Sequence, residues 1–162
     1  MIALFAGSFH PPTNGHLDVI KRSAKMFEKV YVAVMANPDK KYILSAQERV
    51  RMLKKITEDL DNVEVVTDSG LTAELAGKLN AQVLVRGVRG VGDMEYEINV
   101  SNANRMLTGV DTVFLPCLPE HSWISSSIVN DIARHGGAIG EMVPEAILED
   151  IKRAIAHESK GV

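Results

Sequence analysis

The fold of this chain is decided near its N-terminus, by the stretch Ile2-Ala3-Leu4-Phe5-Ala6-Gly7-Ser8-Phe9-His10-Pro11-Pro12-Thr13-Asn14-Gly15-His16. Its first five residues are an apolar run that predicts a buried strand, and the next ten are a loop rich in glycine and proline. One helical face follows the loop, formed by Leu17, Ile20, Ala24 and Phe27. The stretch therefore predicts a strand, a loop and a helix in direct succession.

The same alternation continues along the chain. Apolar, β-branched runs at residues 30–35, 63–66, 83–85 and 112–115 predict four more strands. Helices are predicted after Ser45, which can form a capping box with Glu48, at residues 71–79, 93–107 and 125–135, and from Pro144 onward, with Asp93 as a candidate cap. This order predicts an α/β fold, a five-stranded parallel sheet with helices on both faces, in a single domain over residues 1–162.

The composition excludes some functional classes. The chain has 162 residues, 46% of them apolar, and its net charge of −3 argues against a general nucleic-acid-binding protein. A single cysteine, Cys117, cannot form an internal disulfide. The apolar N-terminus lacks the basic lead of a signal peptide, and the run at residues 30–36 is too short to cross a bilayer. We therefore expect a soluble cytoplasmic protein without nucleic-acid or membrane partners.

The loop at residues 7–16 follows the first predicted strand and ends at a helix start. Parallel sheets bind ligands at the carboxyl ends of their strands. Gly7 and Gly15 allow a close backbone approach, and His16 falls in the first helical turn, where free N–H groups suit a phosphate. The spacing matches neither the dinucleotide glycine fingerprint nor a Walker loop. Taken alone, a simple turn with an Asn cap and a surface histidine explains the loop more economically.

Three more loops follow strands and carry groups that suit phosphate. Residues 37–41 contain two lysines, residues 86–93 interleave two arginines with three glycines, and residues 121–127 place three serines at a helix start. Each has an ordinary alternative: a solvated charge pair, surface salt bridges, or a capped helix. Together, four such loops at one edge of a parallel sheet predict a polyphosphate site without a Walker motif.

The residues at two of these loops also resemble a known family. Residues 13–16, Thr-Asn-Gly-His, resemble the glycine-histidine signature of the nucleotidyltransferase superfamily, and residues 124–127, Ile-Ser-Ser-Ser, resemble its second signature. Within that superfamily the chain most resembles the phosphopantetheine adenylyltransferases, over almost its whole length. The features that carry this resemblance are Gly7-Ser8-Phe9, Pro11, Lys40-Lys41, Arg86-Gly87-Val88-Arg89, Asp93, Glu95-Tyr96-Glu97 and Asn104-Arg105.

The resemblance implies a Rossmann-like fold and a reaction between ATP and 4′-phosphopantetheine. The products would be dephospho-coenzyme A and pyrophosphate, in the penultimate step of coenzyme A synthesis. The family uses Mg²⁺, which we expect to be carried mainly by the ATP phosphates rather than by side chains. The family usually forms hexamers. Met106 and Leu107 could belong to such an interface, although burial in the core is the simpler interpretation.

The resemblance also implies roles for individual residues. The implied catalytic residues are His16, at the α-phosphate and transition state, Lys40, Arg89 and Ser127. The implied ATP contacts are Ser8, Phe9, His16, Gly87, Val88, Arg89, Glu97, His121, Ser122, Trp123, Ile124, Ser125, Ser126 and Ser127. The implied contacts to phosphopantetheine are Ser8, Lys40, Leu71, Thr72 and Arg86.

The chain departs from the family pattern at two positions, and other functions stay open. Ser8 stands where threonine is common and keeps the hydroxyl, whereas His10 stands where an acidic residue is common. The nearest alternative is a nucleotidyltransferase that acts on nicotinamide mononucleotide, or one that uses CTP and a phosphorylated polyol. A non-catalytic sensor of ATP or coenzyme A is the alternative from another class, and it would be expected to lack His16 or Lys40.

Overall fold

The structure is a computed structural model that describes residues 1–36 and 41–158. Its strands are β1 (Ile2–Gly7), β2 (Lys29–Met35), β3 (Val63–Asp68), β4 (Val83–Val88) and β5 (Asp111–Pro116). Its helices are α1 (Asn14–Met26), α2 (Ala46–Ile56), α3 (Thr72–Lys78), α4 (Val91–Thr108), α5 (Ser126–Arg134) and α6 (Glu145–Glu158), with one 3₁₀ turn at Pro119–His121. None of the described helices is long and apolar enough to cross a membrane.

The five strands form one parallel sheet in the order β3-β2-β1-β4-β5. In chain order, β2 pairs with one side of β1 and β3 pairs with β2. β4 then pairs with the other side of β1, and β5 pairs with β4. Ala3 is consequently paired with Val30 on one side and with Val83 on the other. The loops after β1 and β4 therefore leave the sheet in opposite directions, and a crevice opens between them.

Side chains alternate along each strand between two apolar layers. Phe5, Val32 and Val85 face a core that includes residues of α1, α2, α5 and α6. Leu4, Ala33 and Leu84 face a smaller layer with the buried residues of α3, and α4 packs beside α3. Strands that are buried on both faces account for the continuous apolar runs of the sequence. The predicted five-stranded parallel sheet with helices on both faces is confirmed.

The local signals for helix starts are partly confirmed, with errors at Asn14 and Asp93. Asn14 is the first residue of α1, and the cap of that helix is Thr13. Ser45 caps α2, because its Oγ accepts the N–H of Glu48 at 3.2 Å while Glu48 accepts the N–H of Ser45 at 2.7 Å. Asp93 is not a cap: α4 begins after Gly90, which makes no side-chain cap bond. The Asp93 carboxylate instead accepts hydrogen bonds from Arg89, four residues earlier.

Helix α4 is unusual in that only Glu97 is buried along its 18 residues. Met106 and Leu107 are 81% and 54% exposed, so the interpretation of these two residues as core is wrong in the isolated chain. The helix packs beside α3, β4 and β5, and β5 is an edge strand that is itself half exposed. Apolar side chains on α4 are consequently available to a partner.

Candidate active site

A cavity of about 370 Å³ opens at the carboxyl end of the sheet, between the loops that follow β1, β4 and β5. Its position at the reversal of strand order is where open α/β sheets bind ligands. Most of the residues implied by the resemblance line it: Ser8, Phe9, His16, Arg86, Gly87, Arg89, Glu97, His121, Ile124, Ser125, Ser126 and Ser127. Residues separated by more than a hundred positions are thus brought to one site.

Several predicted contacts lie outside the lining of this cavity. Leu71 and Thr72 stand at the start of α3, after the edge strand β3, and Leu71 is 53% exposed. Val88 is buried at the end of β4, and Trp123, after β5, is 51% exposed. Ser122 donates its hydroxyl hydrogen to the carbonyl of Pro119. Lys40 lies outside the described residues.

His16 is the third residue of α1 and completes an unusual capping box. Thr13 caps the helix through its Oγ1, which accepts the N–H of His16 at 3.3 Å, while the N–H of Thr13 donates to His16 Nδ1 at 3.0 Å. An imidazole nitrogen that accepts a backbone N–H carries no proton. The cap therefore fixes the tautomer of His16 and leaves Nε2–H as a hydrogen-bond donor.

The surroundings of His16 keep its ring neutral. Burial against the site, together with the nearby positive charges of Arg89 and Arg86, lowers the pKa of His16 from 6.5 to about 4. The ring packs on Phe9 with the two centroids 5.0 Å apart, which fixes its plane. His16 is thus a fixed, neutral donor at physiological pH and not a cation.

This lowered pKa predicts a dependence of stability on pH. Between the unfolded pKa of 6.5 and the folded pKa of about 4, only the unfolded chain gains a proton, so stability falls as the pH falls through that window. The protonation of His16 in the unfolded chain should therefore lower the free energy of unfolding by about 2 kcal/mol at pH 5 relative to pH 7.5. We expect urea unfolding of wild type to show this loss, and His16→Gln to lack it. Equal losses for both proteins at pH 5 would contradict the assignment.

Arg86, at the end of β4, is held by a bidentate ion pair inside the site. Its Nε and Nη2 donate to the two carboxylate oxygens of Glu97 at 2.6 and 2.7 Å, and its Nη1 donates to the carbonyl of Ala6 at 2.7 Å. Glu97 is only 8% exposed, so the pair is largely shielded from water. A guanidinium has five N–H donors, of which these bonds use three. The other two N–H groups make no hydrogen bond within residues 1–36 and 41–158 and could bind an anion in the cavity.

Arg89 is oriented in a similar way from the loop after β4. Its Nε and Nη2 donate to the carboxylate of Asp93 at 2.7 and 3.0 Å, an i,i+4 pair across the start of α4. Hydrogen bonding to Asp93 raises the pKa of Arg89 and lowers that of Asp93, so both groups stay charged. Arg89 Nη1 also donates to the carbonyl of Ile124 at 3.4 Å, which joins the β4 loop to the start of α5.

The three serines at the start of α5 have three different environments. Ser125 caps the helix by accepting the N–H of Ile128, and Ser126 donates to the carbonyl of Pro11 in the β1 loop at 2.8 Å. The hydroxyl of Ser127 makes no hydrogen bond within residues 1–36 and 41–158. The helix starts of α1 and α5 both border the cavity, and their free N–H groups and positive dipole ends favour an anion there.

One residue behind the site was not predicted from the sequence. Arg49 of α2 is 1% exposed, and its Nη1 donates to the carbonyl of Ser8 at 2.7 Å. The signal for it was present, because Arg49 shares the buried stripe of α2 with Met52, Leu53 and Ile56. A charged residue on the apolar face of a helix requires a polar partner, and here that partner is the β1 loop.

The geometry fits an anion-binding site more readily than a side-chain metal centre. Within the described part of the chain, no group of three or more His, Cys, Asp or Glu side chains is arranged to hold a metal ion. Glu97 and Asp93, the two carboxylates that line the cavity, are both engaged by arginines. A polyanionic ligand would meet two arginines, one imidazole N–H and two helix starts.

Comparisons with known proteins agree with this geometry. The profile of the cytidylyltransferase-like family matches residues 4–132. A phosphopantetheine adenylyltransferase from Gloeobacter violaceus is 46% identical over 157 residues, covering 96% of this chain and 98% of the relative. The enzyme of the same name from Caldanaerobacter subterraneus is 44% identical over 149 residues, covering 91% and 93%.

A solved structure with a similar fold is that of a protein assigned as a nicotinate-nucleotide adenylyltransferase from Vibrio parahaemolyticus. It has a TM-score of 0.66 over 97% of this chain and 92% of its own, at 20% sequence identity, so the likeness is one of fold. The family profile and the relatives show more than a common fold, because their matches include both signatures and the β4 loop between them. This chain therefore belongs to the phosphopantetheine adenylyltransferase family, within the cytidylyltransferase-like proteins.

Proposed function

We propose that this enzyme transfers the adenylyl group of ATP to 4′-phosphopantetheine, releasing pyrophosphate and forming dephospho-coenzyme A. The observation that carries the proposal is the cavity at the β1–β4 crevice, where His16, Arg86 and Arg89 converge with the starts of α1 and α5. Family membership supplies the acceptor. The alternatives with nicotinamide mononucleotide or a phosphorylated polyol as acceptor are not favoured by relatives that share 44–46% of their residues with this chain.

In this reaction a phosphate oxygen of the acceptor attacks the α-phosphorus of ATP. The new P–O bond forms as the bond from the α-phosphorus to the bridging oxygen breaks, and pyrophosphate leaves with that electron pair. The acceptor is already an anion, so no strong general base is required. Catalysis then depends on holding the reactants in line and on stabilising the charge that develops on the phosphoryl oxygens.

The described residues divide this work between the two reactants. The neutral His16 donates through Nε2–H to an oxygen on the α-phosphorus, and its donor position is fixed before the substrates bind. Arg89 and the N–H groups at the start of α5, beside Ser127, hold the leaving pyrophosphate. Arg86 contacts the acceptor phosphate with its two remaining N–H groups.

The remaining assignments belong to the same proposal. Lys40 would steady the acceptor phosphate and the transferring group, and Leu71 and Thr72 would contact the pantetheine arm beyond the cavity. Val88, Ser122 and Trp123 would contact ATP next to the lining of the cavity. Mg²⁺ would be carried mainly by the ATP phosphates, since it dehydrates reluctantly and the cavity carboxylates are paired with arginines. When bound, it would neutralise charge on the leaving pyrophosphate.

The experiment that tests this function is a panel of acceptors with purified protein. Mg-ATP is mixed separately with 4′-phosphopantetheine, nicotinamide mononucleotide and glycerol 3-phosphate, the last also with Mg-CTP, and pyrophosphate release is followed. We expect release with phosphopantetheine alone. Release with another acceptor alone would agree with the proposed mechanism but would show that the acceptor is assigned wrongly. No release from protein that still binds ATP would indicate the sensor function.

The assembly and location of the enzyme are part of this proposal as well. Tyr96, Met106 and Leu107 of α4 are 66%, 81% and 54% exposed, and aromatic and methionine side chains are enriched in subunit interfaces. We propose a homohexamer in the cytoplasm, where the unpaired Cys117 would stay reduced. Light scattering at working concentration should give six times the mass of the 17.7 kDa chain, and a monomeric mass would contradict the hexamer.

A further inference from the structure

We propose that Arg49, which does not line the active-site cavity, is a positioning residue that fixes the Ser8–Phe9 turn on which His16 packs. Arg49 lies in the first half of α2, and its guanidinium reaches under the β1 loop. The inference rests on the proposed function, because the turn supports His16, whose Nε2–H is the proposed donor to the α-phosphate. Arg49 lies outside both signatures, residues 13–16 and 124–127.

The contacts of Arg49 are directed at backbone carbonyls and one aromatic ring. Nη1 donates to the carbonyl of Ser8 at 2.7 Å, and Nε donates to the carbonyl of Ser45 at 3.3 Å. The guanidinium carbon stands 4.2 Å from the centroid of the Tyr42 ring. Within residues 1–36 and 41–158, no carboxylate forms an ion pair with Arg49. Burying a guanidinium is costly, and among the described residues its hydrogen bonds to the carbonyls of Ser8 and Ser45 are the interactions that offset this cost.

The turn that Arg49 holds has an uncommon backbone conformation. Phe9 has φ of 47°, in the left-handed region, which a bulky side chain rarely adopts. Phe9 is 1% exposed, and its ring lies edge-on to His16, with centroids 5.0 Å apart, and to Phe5, with centroids 5.4 Å apart. A bond from Arg49 to the carbonyl directly before Phe9 fixes the peptide plane that sets this conformation. Releasing it would let the Phe9 ring move and change the support of His16.

Arg49 also connects the Ser8–Phe9 turn to residues 41–45, through Tyr42. Tyr42, beneath the guanidinium, also packs against the ring of His10, with centroids 4.9 Å apart. His10 Nε2 accepts the N–H of Leu44 at 3.2 Å. Arg49 therefore lies at the point where the β1 loop, residues 41–45 and α2 meet. Its loss should affect the geometry of the reacting groups more than the affinity for ATP.

The test uses Arg49→Met and Arg49→Lys, with Thr57→Val as the matched control. Thr57 ends α2 on the side away from the cavity and, like Arg49, is buried and donates to a backbone carbonyl, that of Leu53 at 2.9 Å. We expect Arg49→Met to lower kcat about 100-fold and Arg49→Lys about tenfold, with the KM for ATP changed less than about threefold. Lysine keeps the charge but lacks the rigid fork that reaches both carbonyls. Thr57→Val should lower thermal stability and leave kcat unchanged.

The outcomes separate positioning from a general effect on folding. Wild-type kcat in Arg49→Lys overturns the proposal whether or not Arg49→Met folds, and so does a raised KM with unchanged kcat. If wild type binds ATP but does not turn over phosphopantetheine, the proposed function fails. The NMR amide chemical shifts of Phe9 and His16 then test whether Arg49 positions the turn. Shifts displaced in Arg49→Lys and unmoved in Thr57→Val would then support positioning. Unchanged shifts in Arg49→Lys would refute it.

Discussion

Replacing His16 with alanine is expected to lower kcat about 100- to 1,000-fold while changing the KM for ATP by less than about threefold. The reason is the state in which His16 is held: a neutral ring whose Nδ1 is occupied by the N–H of Thr13. Its Nε2–H donor is fixed before substrate binds, so its strongest hydrogen bond should form when negative charge accumulates on the phosphoryl oxygens. Steady-state kinetics of pyrophosphate release measures both constants.

Two further variants make the His16 experiment specific. His16→Gln carries an amide N–H close to the position of Nε2 and should recover part of the lost kcat. His135→Ala is the matched control, because the side chain of His135 is 79% exposed and lies at the far end of α5. It should turn over at the wild-type rate. A His16→Ala enzyme in which only the KM rises would contradict a contact specific to the transition state.

Replacing Arg86 with methionine should have the largest effect on stability, a loss of about 3 kcal/mol in the free energy of unfolding. The substitution leaves the carboxylate of Glu97, 8% exposed, without its bidentate partner, and the carbonyl of Ala6 without its donor. In Arg86→Met/Glu97→Met the isolated charge is gone, and most of the stability should return. Urea unfolding of wild type, both single variants and the double variant measures this coupling.

Activity should not return with stability in the double variant. Both proteins that lack Arg86 should show kcat/KM for phosphopantetheine lowered at least about 100-fold, because the guanidinium is the proposed contact to the acceptor phosphate. Arg105→Met is the control for loss of an ion pair, since Arg105 and Asp111 are each 69% exposed. It should cost less than about 0.5 kcal/mol. A double variant with wild-type kcat/KM for phosphopantetheine would show that Arg86 does not contact the acceptor phosphate.

Much of the local structure was predictable from the sequence alone. The alternation of apolar runs and helical faces gave the five strands and their parallel arrangement, and the Ser45–Glu48 capping box was identified correctly. The error at Asp93 concerns a choice between two local partners. An acidic residue near a helix start can cap the helix or pair with an arginine four residues earlier, and the bidentate bond to Arg89 was the stronger option.

The strand order was decided only by the tertiary structure. Sequence alternation allows several orders for five parallel strands, whereas the order β3-β2-β1-β4-β5 is selected by how the helices pack on the two faces. That order places the β1 and β4 loops side by side and leaves β3 at the edge. The starting residues of α3, Leu71 and Thr72, consequently lie outside the cavity that Arg86 and His16 share.

The sequence by itself thus determined the element types, the cap at Ser45 and the loops that bear phosphate-binding groups, because periodicity and capping act within a few residues. Only the tertiary structure determined the partners of the charged side chains. Arg86 meets Glu97 from the next helix, and Arg49 meets the Ser8 carbonyl from 41 residues away. Such pairs depend on which surfaces become buried together, and desolvation makes a partner obligatory only after the chain has packed.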